Sequence, residues 1–238
     1  MGERDLAKAF WSDGFVLVEN AFSSSEVAQA AAIARSIEKR GRVIDLPDAQ
    51  GRATQLAVGV RARDHTELAA LVWADPLAGR ARALLGDEVR HLDTRVSLKR
   101  PGAGGFGWHQ EYRYWKGQGI PRPDIVSALI YLEPAAAENG CLQLIRKSHL
   151  VGLLAHGREG GQEVVRDSLI AELPGSSTPT YAQGASGTVL FFHSMTLHCS
   201  APNESQRSRL ALLVTYNARS NGEVGEAAGV GCESGAHR

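Results

Sequence analysis

The tetrapeptide Trp108–His109–Gln110–Glu111 carries residue types from which a metal site can be made. Residues two apart on a β-strand share a face. A strand over 106–112 would therefore direct the imidazole of His109 and the carboxylate of Glu111 to one point. Two imidazoles and one carboxylate make the facial triad of non-haem Fe(II) oxygenases, which leaves coordination positions open for reactants. A His-x-Glu tripeptide is common by chance, and on these residues alone a structural role is the more frequent explanation.

Two distal histidines offer themselves as the third ligand. His193 ends the apolar run GTVLFFH, and His198 lies in LHCSAPN. Further on, Arg209 belongs to an alternating strand predicted over 208–217, with Ala211, Leu213 and Thr215 on its own face and bulky apolar residues on the other. A guanidinium can hold a carboxylate through two parallel hydrogen bonds, so this strand predicts an anion pocket. Arg207 could compete for that role, but it lies nearer the loop and is expected to be a solvated charge.

The elements that must position these residues change in character along the chain. Up to about residue 88 the pattern is mainly helical, beginning with the capping box Ser23-x-x-Glu26 before an Ala-rich helix that stops at Gly41. Further helices are predicted over 66–74 and 77–85. The predicted strands are 14–22, 92–99, 106–112, 125–132, 141–145, 187–193 and 208–217.

Helices followed by strands that loops connect predict an α+β, mainly β fold, in which N-terminal helices back an antiparallel sheet system. We expect one domain over residues 1–219, with a helical part at about 1–88 and a barrel at about 89–219. Residues 157–184 and the Gly-rich tail 220–238 are expected to be mobile.

Composition excludes several classes of protein. The 238 residues include 26 Lys+Arg and 26 Asp+Glu, and this zero net charge argues against a nucleic-acid binder. No apolar run approaches the ~18–20 residues of a membrane span, and the N-terminus has no apolar signal region. Cys141, Cys199 and Cys232 are odd in number and widely spaced. We therefore expect no disulfide framework and a cytoplasmic location.

Several motifs taken together are specific. WHQEYRYW, G-x-P-x-P, ENGCLQLI-x-x-SH, GTVLFFH and LHCSAPN…R follow in this order. Over roughly residues 10–218 the chain resembles the phytanoyl-CoA hydroxylase family, and within it the ectoine hydroxylases and free amino-acid hydroxylases. The resemblance implies a double-stranded β-helix, a jelly-roll barrel like that of the cupins. It also implies Fe(II), 2-oxoglutarate as cosubstrate, O2, and stimulation by ascorbate.

Carried over position by position, the resemblance implies a complete site. The implied iron ligands are His109, Glu111 and His198. The implied cosubstrate contacts are Arg209, for the distal carboxylate of 2-oxoglutarate, with Ser200, Ser97 and Tyr114. The implied substrate contacts are Asp93, Arg95 and Trp115. The family usually has aspartate at the position of Glu111. Because glutamate is one methylene longer, either the strand must lie farther from the iron or the side chain must adopt a bent conformation.

The function that follows is hydroxylation of a small polar metabolite, a free amino acid or a compound derived from one in specialised metabolism, with 2-oxoglutarate converted to succinate and CO2. We expect a small-molecule substrate, no nucleic-acid or membrane partner, and a monomer or homodimer.

A halogenase is one alternative, but it would need Gly or Ala in place of Glu111. A second alternative is a binding or regulatory barrel without turnover. Asp93, Arg95 and Lys99 could also be the solvated face of an edge strand, and His149 is expected to be structural.

Overall fold

The computed structural model describes residues 2–40, 42–60 and 66–222. Within these ranges the helices are α1 (Glu3–Asp13), α2 (Ser24–Arg40), α3 (Thr66–Val72), α4 (Arg80–Leu85), α5 (Tyr112–Gly117) and α6 (Asp167–Ala171). The predicted capping box is confirmed, because Ser23 N donates to Glu26 Oε2 (2.7 Å) and Glu26 N donates to Ser23 Oγ (3.4 Å). No helix in the described ranges is both long enough and apolar enough to cross a membrane.

The strands form two antiparallel sheets and a separate hairpin. They are β1 (Phe15–Val18), β2 (Arg42–Pro47), β3 (Ala53–Val60), β4 (Val89–Lys99), β5 (Phe106–His109), β6 (Ile125–Tyr131), β7 (Leu142–Leu144), β8 (His156–Glu159), β9 (Gln162–Val165), β10 (Thr180–Tyr181), β11 (Val189–His193), β12 (His198–Ser200) and β13 (Arg209–Ala218). The main sheet has the order β1-β11-β6-β13-β4-β3-β2 and the second sheet the order β10-β7-β12-β5, while β8 pairs with β9. This arrangement confirms the predicted α+β, mainly β class.

The two faces of β13 belong to two different cores. Leu210, Leu212, Val214 and Tyr216 are buried in one cluster with residues of α1 to α4, such as Phe10, Ala34, Leu68 and Leu84. Ala211, on the opposite face, lies in a second cluster with Leu144 of β7. The alternation expected for this strand is therefore confirmed, since a strand buried on both sides sends alternate side chains to helices and to the second sheet.

The part expected to be mainly helical, up to about residue 88 with one strand over 14–22, contains two further strands that were not predicted. β2 and β3 form a hairpin, and β3 pairs with β4, so both strands extend the main sheet. Asp48 fixes the hairpin turn, because its Oδ1 accepts from the backbone N–H groups of Gln50 and Arg52 at 2.9 Å each. The pairing partner of β3 lies far along the chain, which local patterning does not reveal. As a consequence β4 is an interior strand.

The predicted strand over 106–112 is also wrong in its second half. β5 ends at His109, and α5 begins at Tyr112. Gln110 holds this bend, because its Nε2 donates to the carbonyl groups of Gly152 and Met195 at 2.9 Å each. Tertiary hydrogen bonds to two distant segments therefore override the strand pattern.

The segment 157–184, expected as a mobile loop, contains secondary structure. It includes β9, α6 and β10, and Val164, Val165 and Ile170 are buried. The Gly-rich tail lies outside the described residues from 223 onward. Asn221 within the described part is buried, and its Nδ2 donates to the carbonyl of Arg122 at 2.7 Å.

Candidate active site

A pair of histidines faces inward from the second sheet. His109 on β5 and His198 on β12 are Cα partners, and their ring centroids are 4.2 Å apart. His109 Nδ1 donates to the Gly107 carbonyl (2.8 Å), and His198 Nδ1 donates to the Thr196 carbonyl (2.9 Å). These bonds set the tautomer of each ring and leave each Nε2 lone pair available to a metal.

Both imidazoles are neutral at physiological pH. Burial lowers the pKa of His109 to about 3, with a further contribution from the neighbouring His198. Burial lowers the pKa of His198 to about 4. A metal ligand must be deprotonated, so the pair is preset for ligation.

Glu111 lies next to this pair but not on the same strand. It occupies the turn before α5 with helical backbone angles (φ −60°, ψ −28°), so the expected shared strand face with His109 is wrong. Its carboxylate is buried and accepts a hydrogen bond from the Ser127 hydroxyl at 2.7 Å. It is near enough for its charge to act on His109. Among the described residues, no group of three or more His, Cys, Asp or Glu side chains is close enough together to hold a metal.

The residues present suit iron in kind. The structure brings the two imidazoles together with free Nε2 atoms, and a buried carboxylate stands beside them with one oxygen on Ser127. Two neutral nitrogens and one carboxylate are the donors of a facial Fe(II) site.

Arg209 is the centre of a buried cationic pocket on the facing strand β13. Its Nη1 donates to the Gly140 carbonyl (2.6 Å) and its Nη2 to Ser97 Oγ (3.2 Å). Its Nε has no partner within the described part of the chain, where no carboxylate pairs with the guanidinium. Burial lowers the pKa of Arg209. A buried guanidinium with unused donors and no counter-ion is suited to bind an anion.

Lys99 stands beside Arg209, and it is not among the metal, cosubstrate or substrate contacts predicted from the sequence. It is 0% exposed, and its Nζ donates to Ser200 Oγ (2.8 Å) and to the Ala201 carbonyl (2.6 Å). Burial, together with the charge of Arg209, lowers the pKa of Lys99 to about 6. Ser200 and His198 are both on β12, so the pocket adjoins the histidine pair. The alternating pattern of β4 was the available signal, but it does not distinguish a solvated face from a buried one.

Arg95 and its neighbours form the third part of the site. Arg95 Nε donates to Asp93 Oδ2 at 2.9 Å, and its guanidinium lies 4.9 Å from the Tyr114 ring centroid and 5.6 Å from that of Trp115. Arg95 Nη2 and Trp115 Nε1 are buried donors without a partner in the described ranges. Although burial alone would lower it, the charges of Asp93 and Glu111 raise the pKa of Arg95. The edge-strand alternative for these residues is wrong, because β4 lies between β13 and β3.

The competing candidates have other surroundings. His193 packs against Trp11 (ring centroids 5.4 Å apart) and against His149 (5.6 Å), so it holds α1 to the main sheet. The Arg207 side chain is 67% exposed and pairs with Glu138 at 2.7 Å, which agrees with the expected solvated charge.

The cysteines of the described ranges, Cys141 and Cys199, are buried and free. Burial raises the pKa of the Cys141 thiol to about 11 and that of Cys199 to about 12. Both are therefore neutral thiols, and Cys199 beside His198 is not an activated nucleophile.

The fold and the site together define a class. Two facing antiparallel sheets that carry a neutral histidine pair and a buried cationic pocket describe a double-stranded β-helix protein of the non-haem iron oxygenase type. Within that class, the family model for phytanoyl-CoA dioxygenase (PhyH) matches residues 10–211. The chain therefore belongs to the phytanoyl-CoA dioxygenase family, as its motifs predict.

Individual relatives cover most of the chain. It is 27% identical over 234 residues to an L-proline trans-4-hydroxylase of Streptomyces griseoviridis, covering 91% of this chain and 87% of the relative. It is 30% identical over 237 residues to an ectoine dioxygenase of Bordetella bronchiseptica, covering 91% and 76%.

Solved structures have the same fold. EctD from S. alaskensis with 2-oxoglutarate and 5-hydroxyectoine matches with a TM-score of 0.76 at 26% identity, over 93% of this chain and 77% of the other. The epimerase SnoN, in complex with Fe3+, alpha ketoglutarate and nogalamycin RO, matches with the same TM-score of 0.76 at 20% identity, over 91% and 83%.

Proposed function

We propose that this protein is an Fe(II)- and 2-oxoglutarate-dependent hydroxylase of a small polar metabolite, a free amino acid or a compound derived from one. The observation that carries the proposal is the juxtaposition along β12. His198 presents a free Nε2 beside His109, and Ser200 on the same strand accepts a hydrogen bond from the buried amine of Lys99, next to Arg209. A metal site and a site for a dicarboxylate are thus adjacent.

His109, His198 and Glu111 would hold the iron. Bound iron together with 2-oxoglutarate supplies the O2-activating chemistry that hydroxylates an unactivated C–H bond. What this chain itself contributes is ligation by two imidazoles whose orientation is already set, and exclusion of water by the buried surroundings.

The pocket around Arg209 suits the distal carboxylate of 2-oxoglutarate. The Arg209 Nε lacks a partner among the described residues. The buried Lys99 amine, which donates to Ser200, lies beside Arg209 and would take up a proton when an anion binds. Ser97 accepts from Arg209 Nη2 and so keeps the guanidinium in place. A dicarboxylate would supply the negative charge that the described residues of this pocket do not.

Substrate recognition would fall to the group around Arg95. Arg95 Nη2 and Trp115 Nε1, which have no partner in the described part of the chain, suit a carboxylate, and Asp93 suits an ammonium group. The names of the relatives, which refer to proline and ectoine, point to the same size and polarity. Tyr114, expected among the cosubstrate contacts, has its ring against Arg95 and fits this group better. A cytoplasmic location and a monomeric or homodimeric state remain predictions.

Release of succinate tests the proposal. The full chain with Fe(II), ascorbate and 2-oxoglutarate is incubated with a panel of free amino acids and ectoine-like compounds, and mass spectrometry follows the gain of one oxygen. We expect one compound to be hydroxylated with matching succinate. His198→Ala should abolish both signals, while His193→Ala, a buried histidine outside the site, should retain them if it folds.

A binding or regulatory protein without turnover is the second candidate. Two observations favour it. The Glu111 carboxylate accepts a hydrogen bond from Ser127, and no three possible metal ligands lie close together among the described residues. Tight binding of 2-oxoglutarate and metabolite, with no succinate above the His198→Ala background, would favour this second candidate and overturn the first.

A further inference from the structure

Two hydroxyl groups of the main sheet lie against Glu111. Ser127 on β6 and Thr215 on β13 are Cα partners on adjacent strands, and their hydroxyl oxygens are 3.2 Å apart. Their side chains are 0% and 1% exposed. Ser127 donates its only proton to Glu111 Oε2 at 2.7 Å, so the second contact must run from Thr215 to Ser127. The order of donation is therefore Thr215 to Ser127 to Glu111.

We infer that Ser127, oriented by Thr215, is a positioning residue for Glu111, and that the pair matches the site to a glutamate rather than an aspartate. This inference rests on the proposed function, in which Glu111 is a metal ligand. A hydroxyl on Oε2 fixes the rotation of the carboxylate, because a hydrogen bond to an ionised acceptor is short and directional. The other carboxylate oxygen is then left for a metal.

The backbone at Glu111 is held in place, and this determines which side-chain length reaches Ser127. Glu111 stands in the turn before α5, and the chain on either side is held. Gln110 bonds two distant carbonyl groups, and Tyr112 N donates to the Ser194 carbonyl at 2.9 Å. An aspartate here would end roughly 1.5 Å short, one C–C bond. It would lose the Ser127 contact, because the fixed backbone could not follow.

Metal affinity of the full chain measures this role directly. Titration with Co(II), a spectroscopic stand-in for Fe(II), is compared for the parent and for Ser127→Ala. We expect the dissociation constant for Co(II) to be 10- to 100-fold larger in the variant, because removing the hydrogen-bond partner of a metal ligand usually has an effect of this size. Thr215→Val should shift affinity in the same direction by less. Ser194→Ala is the matched control, since Ser194 is 0% exposed and its hydroxyl bonds only the Pro123 carbonyl among the described residues.

A double-mutant cycle separates positioning from general structural loss. If Ser127 acts through Glu111, then Ser127→Ala should have no further effect on Co(II) affinity in a Glu111→Asp background, because the aspartate no longer reaches the hydroxyl. Independent, additive losses would overturn the inference, as would unchanged or tighter binding in Ser127→Ala. If Ser127→Ala does not fold, the same cycle with Thr215→Val decides. A parent chain that binds no Co(II) would instead refute the proposed metal site itself.

Discussion

Replacing Lys99 with methionine should change how the free energy of unfolding depends on pH. The pKa of Lys99 is about 6 in the folded protein, against an ordinary value of 10.5. Between these values the unfolded chain holds a proton that the folded chain has released. Stability therefore rises with pH wherever the unfolded state binds more protons, by up to about 1.4 kcal/mol per pH unit for one group.

The sign and the range of the effect follow from the two pKa values. Below pH 6 both states are protonated, and the full cost of burying the ammonium is present. Above pH 10.5 both states are neutral, and that cost is gone. From pH 7 to pH 8 the parent should therefore gain about 1.4 kcal/mol relative to Lys99→Met. The methionine also leaves Ser200 and the Ala201 carbonyl without a donor, but that loss does not vary with pH.

Urea unfolding at several pH values from 6.5 to 8.5 measures the difference between parent and variant. Other titrating groups are common to both proteins, so their contributions cancel in the difference. Lys116→Met, which removes a lysine at an exposed position on α5, is the control. A pH-independent difference for Lys99→Met would show that Lys99 keeps its proton when folded, which would refute the reasoning.

The same lysine links cosubstrate binding to proton uptake. If 2-oxoglutarate binds beside a neutral Lys99, the added negative charge raises the lysine pKa and draws in a proton near pH 7.5. Calorimetric heats of binding should then vary with the ionisation enthalpy of the buffer in the parent but not in Lys99→Met. Equal heats in all buffers for the parent would contradict this expectation.

Three further changes test other parts of the site. His109→Ala should abolish Co(II) binding and succinate release, and retention of either would remove His109 from the ligand set. Arg209→Ala should weaken 2-oxoglutarate binding by about 2–5 kcal/mol, the cost of truncating a buried charged contact, whereas the exposed Arg207→Ala should not; an unchanged KM for 2-oxoglutarate would refute the pocket. Gly140→Ala should lower the unfolding temperature, because φ is +74° and a Cβ would lie 2.3 Å from a backbone carbonyl oxygen. The positive φ alone accounts for about 1–2 kcal/mol, and a variant as stable as the parent would show that the turn relaxes.

Local patterns predict most of the elements that carry the site. Strict alternation places Arg209 and Thr215 on the face away from the helices, and the capping box marks the start of α2 within one residue. These signals work because each depends on neighbours in the chain. The order of several separate motifs predicts the family, and the residues of WHQEYRYW and LHCSAPN…R lie at the candidate site.

Patterns within a strand do not reveal what covers its two faces. Asp93, Arg95 and Lys99 alternate just as residues on a half-solvated edge strand would. β4 is an interior strand because β3 pairs with it over a long sequence separation, and Lys99 is buried because Ser200 and Ala201 lie across its end. Only the folded chain makes β4 an interior strand and buries Lys99 beside Arg209.

The sequence by itself determined which residues could do the chemistry, because residue type and short spacing set the available donors. It placed His109 and Arg209 on predicted strands, and alternation gave the inner face of the Arg209 strand, whereas β12, which carries His198, was not predicted. The tertiary structure decided the position of Glu111, because Gln110 bonds two distant carbonyl groups and β5 ends at His109, two residues before Glu111. The carboxylate then meets the Ser127 hydroxyl, a contact between segments that no local pattern connects.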